Sequence, residues 1–426
     1  MRVLPLLAVT QAKAGNVESS RALFERTLKL ILSSIGAVGS FLNPESETIE
    51  RLCNLAIQQG RAGMDQERRR TFEIALERAN QIADRMSQAV MYRNIALAQV
   101  RSGEFTESER TVARLYQNVE SKEARNHEFK VTATKAVAAA YYDSGNRPLA
   151  ESYRSKLVHL VQESLNNPRS QAQGLLDLAV LSAHMGDSEQ TDLVFKRRQA
   201  LVARARLGPL EKTQDTLTIV KALIESKQNQ LAIKLLGVAR QSAIEIRGNN
   251  QDFVRAASSL VWQDIALMYA KLGNTYDAIE AGQRIANSQW RVNEEYYRAL
   301  ADLNAGNMQA AVQHLKKTVP VDLDLLAKIT RDLARSGDVR SAIECFDLLR
   351  AGIAEAPHIK AIKELFATQE EHPDYLEALQ ALAAARAAAG EENETVQWVQ
   401  TLSTVEEHIY GLLGAAEGTI KYRQPS

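Results

Sequence analysis

The chain has 426 residues, 45% hydrophobic and 24% charged, with 52 Lys plus Arg against 52 Asp plus Glu. That length exceeds what one compact core fills, so the chain either divides into domains or grows by repetition. A formal net charge of zero removes the global field that would draw in nucleic acid or an anionic membrane, and two cysteines, Cys53 and Cys345, are too few for a disulfide framework.

Good helix formers dominate the sequence, and runs of β-branched residues are scarce, so an all-α fold is expected. At the N-terminus, Val3-Leu4-Pro5-Leu6-Leu7 is a short apolar run interrupted by Pro5, with no small-residue cleavage site after it. It reads as the first helix of the fold. No later stretch reaches the roughly 20 apolar residues that span a bilayer. The low cysteine count fits a reducing compartment, and a cytoplasmic location is expected.

Turn signals then recur along the chain. Corners fall at Gly15, Gly63, Gly103, Gly145, Gly186, Lys227, Gly273, Gly306, Gly337 and Gly390, and only the sixth lacks glycine. The first spacings run from 40 to 48 residues, followed by 33, 31 and 53. Periods of this size mark a stacked-repeat architecture. Seven residues before each corner stand Ala8, Ala56, Ala96, Ala138, Ala179, Val220, Ala266, Ala299, Thr330 and Ala383. Five residues after it stand Ser20, Arg68, Ser108, Ala150, Thr191, Ala232, Ala278, Ala311, Ala342 and Thr395. All but Arg68 are small or fairly small. Glycine ends a helix by entering the left-handed region without a Cβ penalty. Small side chains at the two matched sites let the helices of one hairpin approach closely, while bulkier neighbours fill the groove against the next hairpin.

Trp262-x-x-Ile265-Ala266-x-x-Tyr269, followed by Gly273-Asn274 and Ala278, resembles a tetratricopeptide repeat. The copies at Gly337, with Ala342 and Phe346, and at Gly15, with Phe24, are similar. The resemblance covers nearly the whole chain and implies a right-handed α-solenoid of about ten antiparallel helical hairpins over residues 1–402. Most copies exceed that family's 34-residue period by six to eight residues, which predicts longer helices. The 53-residue gap before Gly390 predicts an inserted helix near 357–370. Ser403-Thr404-Val405-Glu406 reads as a capping box opening a last helix, with residues 403–426 as a capping element and tail.

Sequence motifs for bond chemistry are missing. The seven histidines, His127, His159, His184, His314, His358, His372 and His408, show no i, i+4 pair and no HExxH, and there is no GxxxxGK[ST] or GxSxG. The expectation is a non-enzyme without metal or cofactor. Gly411-x-x-Gly414 reads as a close helix contact. In tetratricopeptide proteins the first helix of each hairpin lines a concave groove. The resemblance therefore implies contact residues ten, six, three and two positions before each corner: Arg93, Leu97, Arg101, Lys135, Tyr142, His184, Lys221, Gln263, Lys271, Tyr296, Arg331 and Arg335.

Basic residues outnumber acidic ones in that set, so the expected partner is a protein segment of acidic character, extended or helical, bound to a scaffold or adaptor. The family's carboxylate clamp is not reproduced, since Lys135 is followed four residues on by Ala139. Two rival readings are a regulatory arm of a larger switch protein and a nucleic-acid binder using the groove Arg and Lys. The apolar first helix lacks a polar cap, so self-association through the N-terminal face is a further expectation.

Overall fold

Each of the ten corners closes in the same way. In the computed structural model the nine corner glycines lie at φ between 72° and 93°, and Lys227 joins them at φ 61°. At each corner the residue in the left-handed conformation donates its N–H three residues back, and the next residue donates five residues back. Gly103 reaches Val100 O at 3.0 Å, and Glu104 reaches Gln99 O at 2.9 Å. Lys227 and Gln228 do the same to Ile224 and Leu223. This is a Schellman ending, which satisfies carbonyls that a helix terminus would otherwise leave orphaned.

The structure describes residues 3–33, 44–119, 124–163, 167–202, 204–246, 251–285, 294–318, 323–355 and 373–423. Among them are 21 helices and no strand. In chain order they are α1 (Val3–Lys13), α2 (Val17–Ser33), α3 (Pro44–Arg61), α4 (Asp65–Asn80), α5 (Arg85–Arg101), α6 (Phe105–Asn118), α7 (Ala124–Asp143), α8 (Arg147–Glu163), α9 (Pro168–His184), α10 (Ser188–Leu201) and α11 (Pro209–Glu225). They continue as α12 (Asn229–Ile244), α13 (Gln251–Lys271), α14 (Thr275–Gln283), α15 (Glu294–Asn304), α16 (Met308–Leu315), α17 (Leu323–Ser336), α18 (Val339–Glu355), α19 (Pro373–Ala388), α20 (Glu392–Gln400) and α21 (Val405–Arg423). The insert expected at 357–370 lies outside the described residues. Long spacings carry long helices, up to the 21 residues of α13. The 33- and 31-residue spacings carry short ones, 9 residues in α14 and 8 in α16.

The small matched sites are the hairpin contact. Ser20 Oγ donates to Ala8 O at 2.7 Å, and Ser108 Oγ donates to Ala96 O at 3.1 Å. Ala266 and Ala278 are fully buried, as are Ala138 with Ala150 and Ala179 with Thr191. Trp262, Ile265 and Tyr269 are buried as well. Arg68, the exception to the small-residue rule, is accommodated by Gly60 of α3. A Cβ on Gly60 would come within 3.2 Å of Arg68 Cδ. The guanidinium passes that gap to reach Glu104 Oε1 at 2.6 Å and Ser102 O at 2.9 Å, so it ties the second corner to the third.

Two compact units result, Glu25–Val292 and Met1–Phe24 together with Asn293–Ser426. In the first, the leading helices α3, α5, α7, α9, α11 and α13 each pack on the next, and each also packs against its own hairpin partner. This nearest-neighbour stacking defines a helical-repeat α-solenoid. In the second, α17 packs on α19, α19 on α21, and α21 on α1. The N-terminal helix, which the sequence leaves uncapped, is thus met by the last helix of its own chain. Residues Gly414 and Gly418 of α21 lie so close to α19 that a Cβ would collide with the carbonyl oxygens of Gln380 and Ala384. The capping box of α21 is shifted by one residue from the expected Ser403–Glu406. Thr404 Oγ1 accepts from Glu407 N at 3.1 Å, and the Glu407 carboxylate accepts from the N–H groups of Ser403 and Thr404 at 2.8 and 2.9 Å. Glu407 is selected because its buried carboxylate also receives the Tyr375 hydroxyl of α19.

Candidate functional site: the face of the leading helices

Because the corners are equivalent, positions counted back from them form rows across neighbouring helices. In the unit Glu25–Val292, the row six residues before the corner holds Leu97, Ala139, Val180 and Leu267, all half-buried, with exposed Lys221 between the last two. The row two residues before the corner holds Arg61, Arg101, Asp143, Glu225 and Lys271, all exposed, with half-buried His184 among them. One row is therefore apolar and partly accessible. The other is charged and mixes both signs.

Several expected groove cations are already engaged. Lys135 pairs with Asp177, a buried carboxylate one repeat further on. Arg93 bonds to Asn94 Oδ1 at 3.1 Å and lies 5.8 Å from the Phe129 ring centre. Tyr142 is flanked by the Arg147 guanidinium, 4.2 Å from its ring centre, and by the edge of His184 at 5.7 Å. His184 Nε2 in turn sits 2.7 Å from Asp143 Oδ1. Burial pushes the Asp264 carboxyl up, while the charges of Lys221 and Lys271 act against that shift; Gln263 is half-buried.

In the other unit, Arg331 holds Asp374 at 2.9 Å and Glu377 at 3.2 Å. Tyr296 is only 8% exposed, which leaves it little to offer a partner, whereas Arg335 is exposed. The basic surface read from sequence is thus smaller than expected, because Lys135 and Arg331 spend their charge on the neighbouring helix. The acidic partners Asp177, Asp374 and Glu377 were the residues the sequence reading missed. A signal for the first was present: Lys135 and Asp177 are 42 residues apart, close to one repeat period.

The described side chains offer little bond chemistry. Burial pushes the Cys53 thiol up to about 12 and the Cys345 thiol to about 11, so neither forms a thiolate nucleophile near neutral pH. Among the described residues no group of three or more His, Cys, Asp or Glu could hold a metal ion. None of the described helices is long and apolar enough to cross a membrane. His314 lies between Glu295 (Nδ1 to Oε2, 2.8 Å) and Asp302 (Nε2 to Oδ2, 3.4 Å), which joins the two helices of the α15–α16 hairpin.

No protein-family model matches the chain. No curated protein matches it. Among solved structures the chain is similar to a "circular tandem repeat protein with novel repeat topology and enhanced subunit contact surfaces", at 15% identity, over 99% of this chain and 95% of that one, with a TM-score of 0.25. At that score the likeness carries no argument, and the class of helical-repeat protein rests on the corners and hairpins themselves.

Proposed function

We propose that the chain is a non-catalytic scaffold of the tetratricopeptide type that binds a segment of another protein along the leading-helix face of Glu25–Val292. The observation that carries this reading is the row of half-buried Leu97, Ala139 and Val180 on three successive leading helices. A partner that covers that row removes apolar area from water. Exposed Arg101, Lys221 and Lys271, with Tyr142 and Gln263, supply polar contacts beside it, and acidic side chains on the segment match the cations. Arg335 plays the same part in the unit that holds it. Asp143 and Glu225 interrupt the cations, which disfavours an unbroken phosphate track and so the nucleic-acid reading.

A phage-displayed peptide library selected on the full chain tests the proposal. Clones enriched on the wild type are expected to lose binding to Leu97→Glu and to Val180→Glu, and to weaken as salt rises. Clones that bind both variants as well as the wild type would move the site elsewhere.

A further inference from the structure

The hairpin of α15 and α16 has little apolar material to hold it. With eight residues, α16 is the shortest of the described helices, and its buried residues are Ala311, Val312 and Leu315. A helix of that length owes its place to packing more than to its own propensity. In its last turn stands His314, with a side chain 25% exposed. The ring faces Glu295 and Asp302 of α15, which lie seven residues, or about two helical turns, apart.

Nδ1 lies 2.8 Å from Glu295 Oε2, and Nε2 lies 3.4 Å from Asp302 Oδ2. A neutral imidazole has one N–H and one bare nitrogen. It can serve one of these carboxylates, and its lone pair then faces the anionic oxygen of the other. The imidazolium carries an N–H on both nitrogens, so both contacts are attractive only in the charged form.

The elements around the ring bring other charges. Among the described residues these are Glu294 and Arg298 of α15, Lys316 and Lys317 at the end of α16, and Glu344 and Arg340 of α18, which packs on α16. Side chains of these types keep their charge between pH 6 and 8, whereas a histidine changes its own near that range. The His314 hydrogen bond holds the Glu295 carboxyl below the ordinary glutamate range, against its desolvation, and the charges of Lys317, His314 and Arg298 add to this. A carboxyl lowered in this way keeps its full contribution above the ordinary value and loses it only as pH falls through the lowered one. Glu295 is therefore constant across neutral pH.

We propose that His314 is a pH-sensitive latch of the α15–α16 hairpin: its imidazolium clamps the end of α16 to α15, and loss of the proton frees that end. A cation that gains partners on folding contributes fully at low pH, and the contribution is lost as the proton leaves. The hairpin is thus tightest in mild acid and loosens toward pH 8. The opening is local. Lys316 stays with Glu344 of α18 at 3.1 Å, and Lys317 stays near Glu295 at 3.6 Å. The latch lies outside Glu25–Val292 and does not depend on the binding face proposed there.

Hydrogen exchange of the full chain at pH 6 and pH 8, read as protection factors over residues 308–318, tests the latch. Protection is expected to fall about fivefold or more from pH 6 to pH 8, the scale of one charged contact at a partly exposed site. Helices α3 to α6, which contain no histidine, should stay constant. In His314→Gln the step should vanish, with protection at both pH values close to that of the wild type at pH 8. Asp302→Asn should shrink the step and keep protection at pH 8, because its amide N–H can serve the bare nitrogen of the neutral ring. Equal protection of the wild type at both pH values, or a step that persists in His314→Gln, overturns the latch. If His314→Gln melts well below the wild type, Asp302→Asn decides, and a step of wild-type size in that variant overturns the latch.

Discussion

Lys227 sits at φ 61° where the other nine corners carry glycine. A side chain with a Cβ costs roughly 1–2 kcal/mol in this region, partly offset by the greater freedom glycine loses on folding. Lys227→Gly is therefore expected to stabilise the chain by about 1 kcal/mol, seen as a higher urea midpoint with an unchanged slope. Arg68 makes the opposite case, a large residue in a small-residue site made tolerable by Gly60. Arg68→Ala should cost about 2 kcal/mol, because it removes charge-assisted bonds to Glu104, whose side chain is only 11% exposed. A double-mutant cycle with Glu104→Gln should show a coupling; strict additivity would assign the loss to packing alone. Ala278 is fully buried against α13. Ala278→Arg should cost about 3 kcal/mol or more by overpacking and by burying a charge. An unchanged melting midpoint would contradict the hairpin register.

Among the helices, α21 depends most visibly on its neighbours. Gly414→Val puts a side chain where the Gln380 carbonyl stands, and should loosen the α19–α21 contact at a cost of about 2 kcal/mol. Hydrogen exchange across residues 405–423 would read it. The start of α21 should also respond to acid. Burial pushes the Glu407 carboxyl up, but the Tyr375 hydroxyl and the N–H groups of Ser403 and Thr404 outweigh it together, and the net shift is below the ordinary glutamate value. A depressed carboxyl contributes stability that is complete above its unfolded value and lost as pH falls through its folded one. Protection factors at the first turn of α21, which correct for the intrinsic slowing of exchange in acid, should therefore fall below about pH 4, under the usual glutamate range. In Glu407→Gln that acid step should vanish, and the helix start should be weaker already at neutral pH.

For the molecule as a whole, residues Met1–Phe24 belong with Asn293–Ser426, so the first helix packs in the same unit as the last. Stacked repeats feel chiefly their neighbours. Deletion of residues 1–16 should consequently speed exchange in α21 while leaving α7 to α12 unchanged; uniform acceleration would show that the stack opens as one. The fold was legible from short-range chemistry. Every expected corner closes where expected, because a left-handed turn and a pair of small residues twelve positions apart are local requirements. The α21 cap was misplaced by one residue for the complementary reason: Ser403 and Thr404 both satisfy the local pattern, and only Tyr375, packed across from α19, selects Glu407.

By itself the sequence determined the helices, their corners, the hairpin contacts and the repeat class, since each follows from residues at most about twelve positions apart. Tertiary structure alone decided which surface charges remain available, that α21 packs on both α19 and α1, and that Leu412 and Ala416 stay exposed. Those outcomes depend on which helices stack side by side, and no short stretch encodes the neighbour lying 42 residues or a whole chain length away.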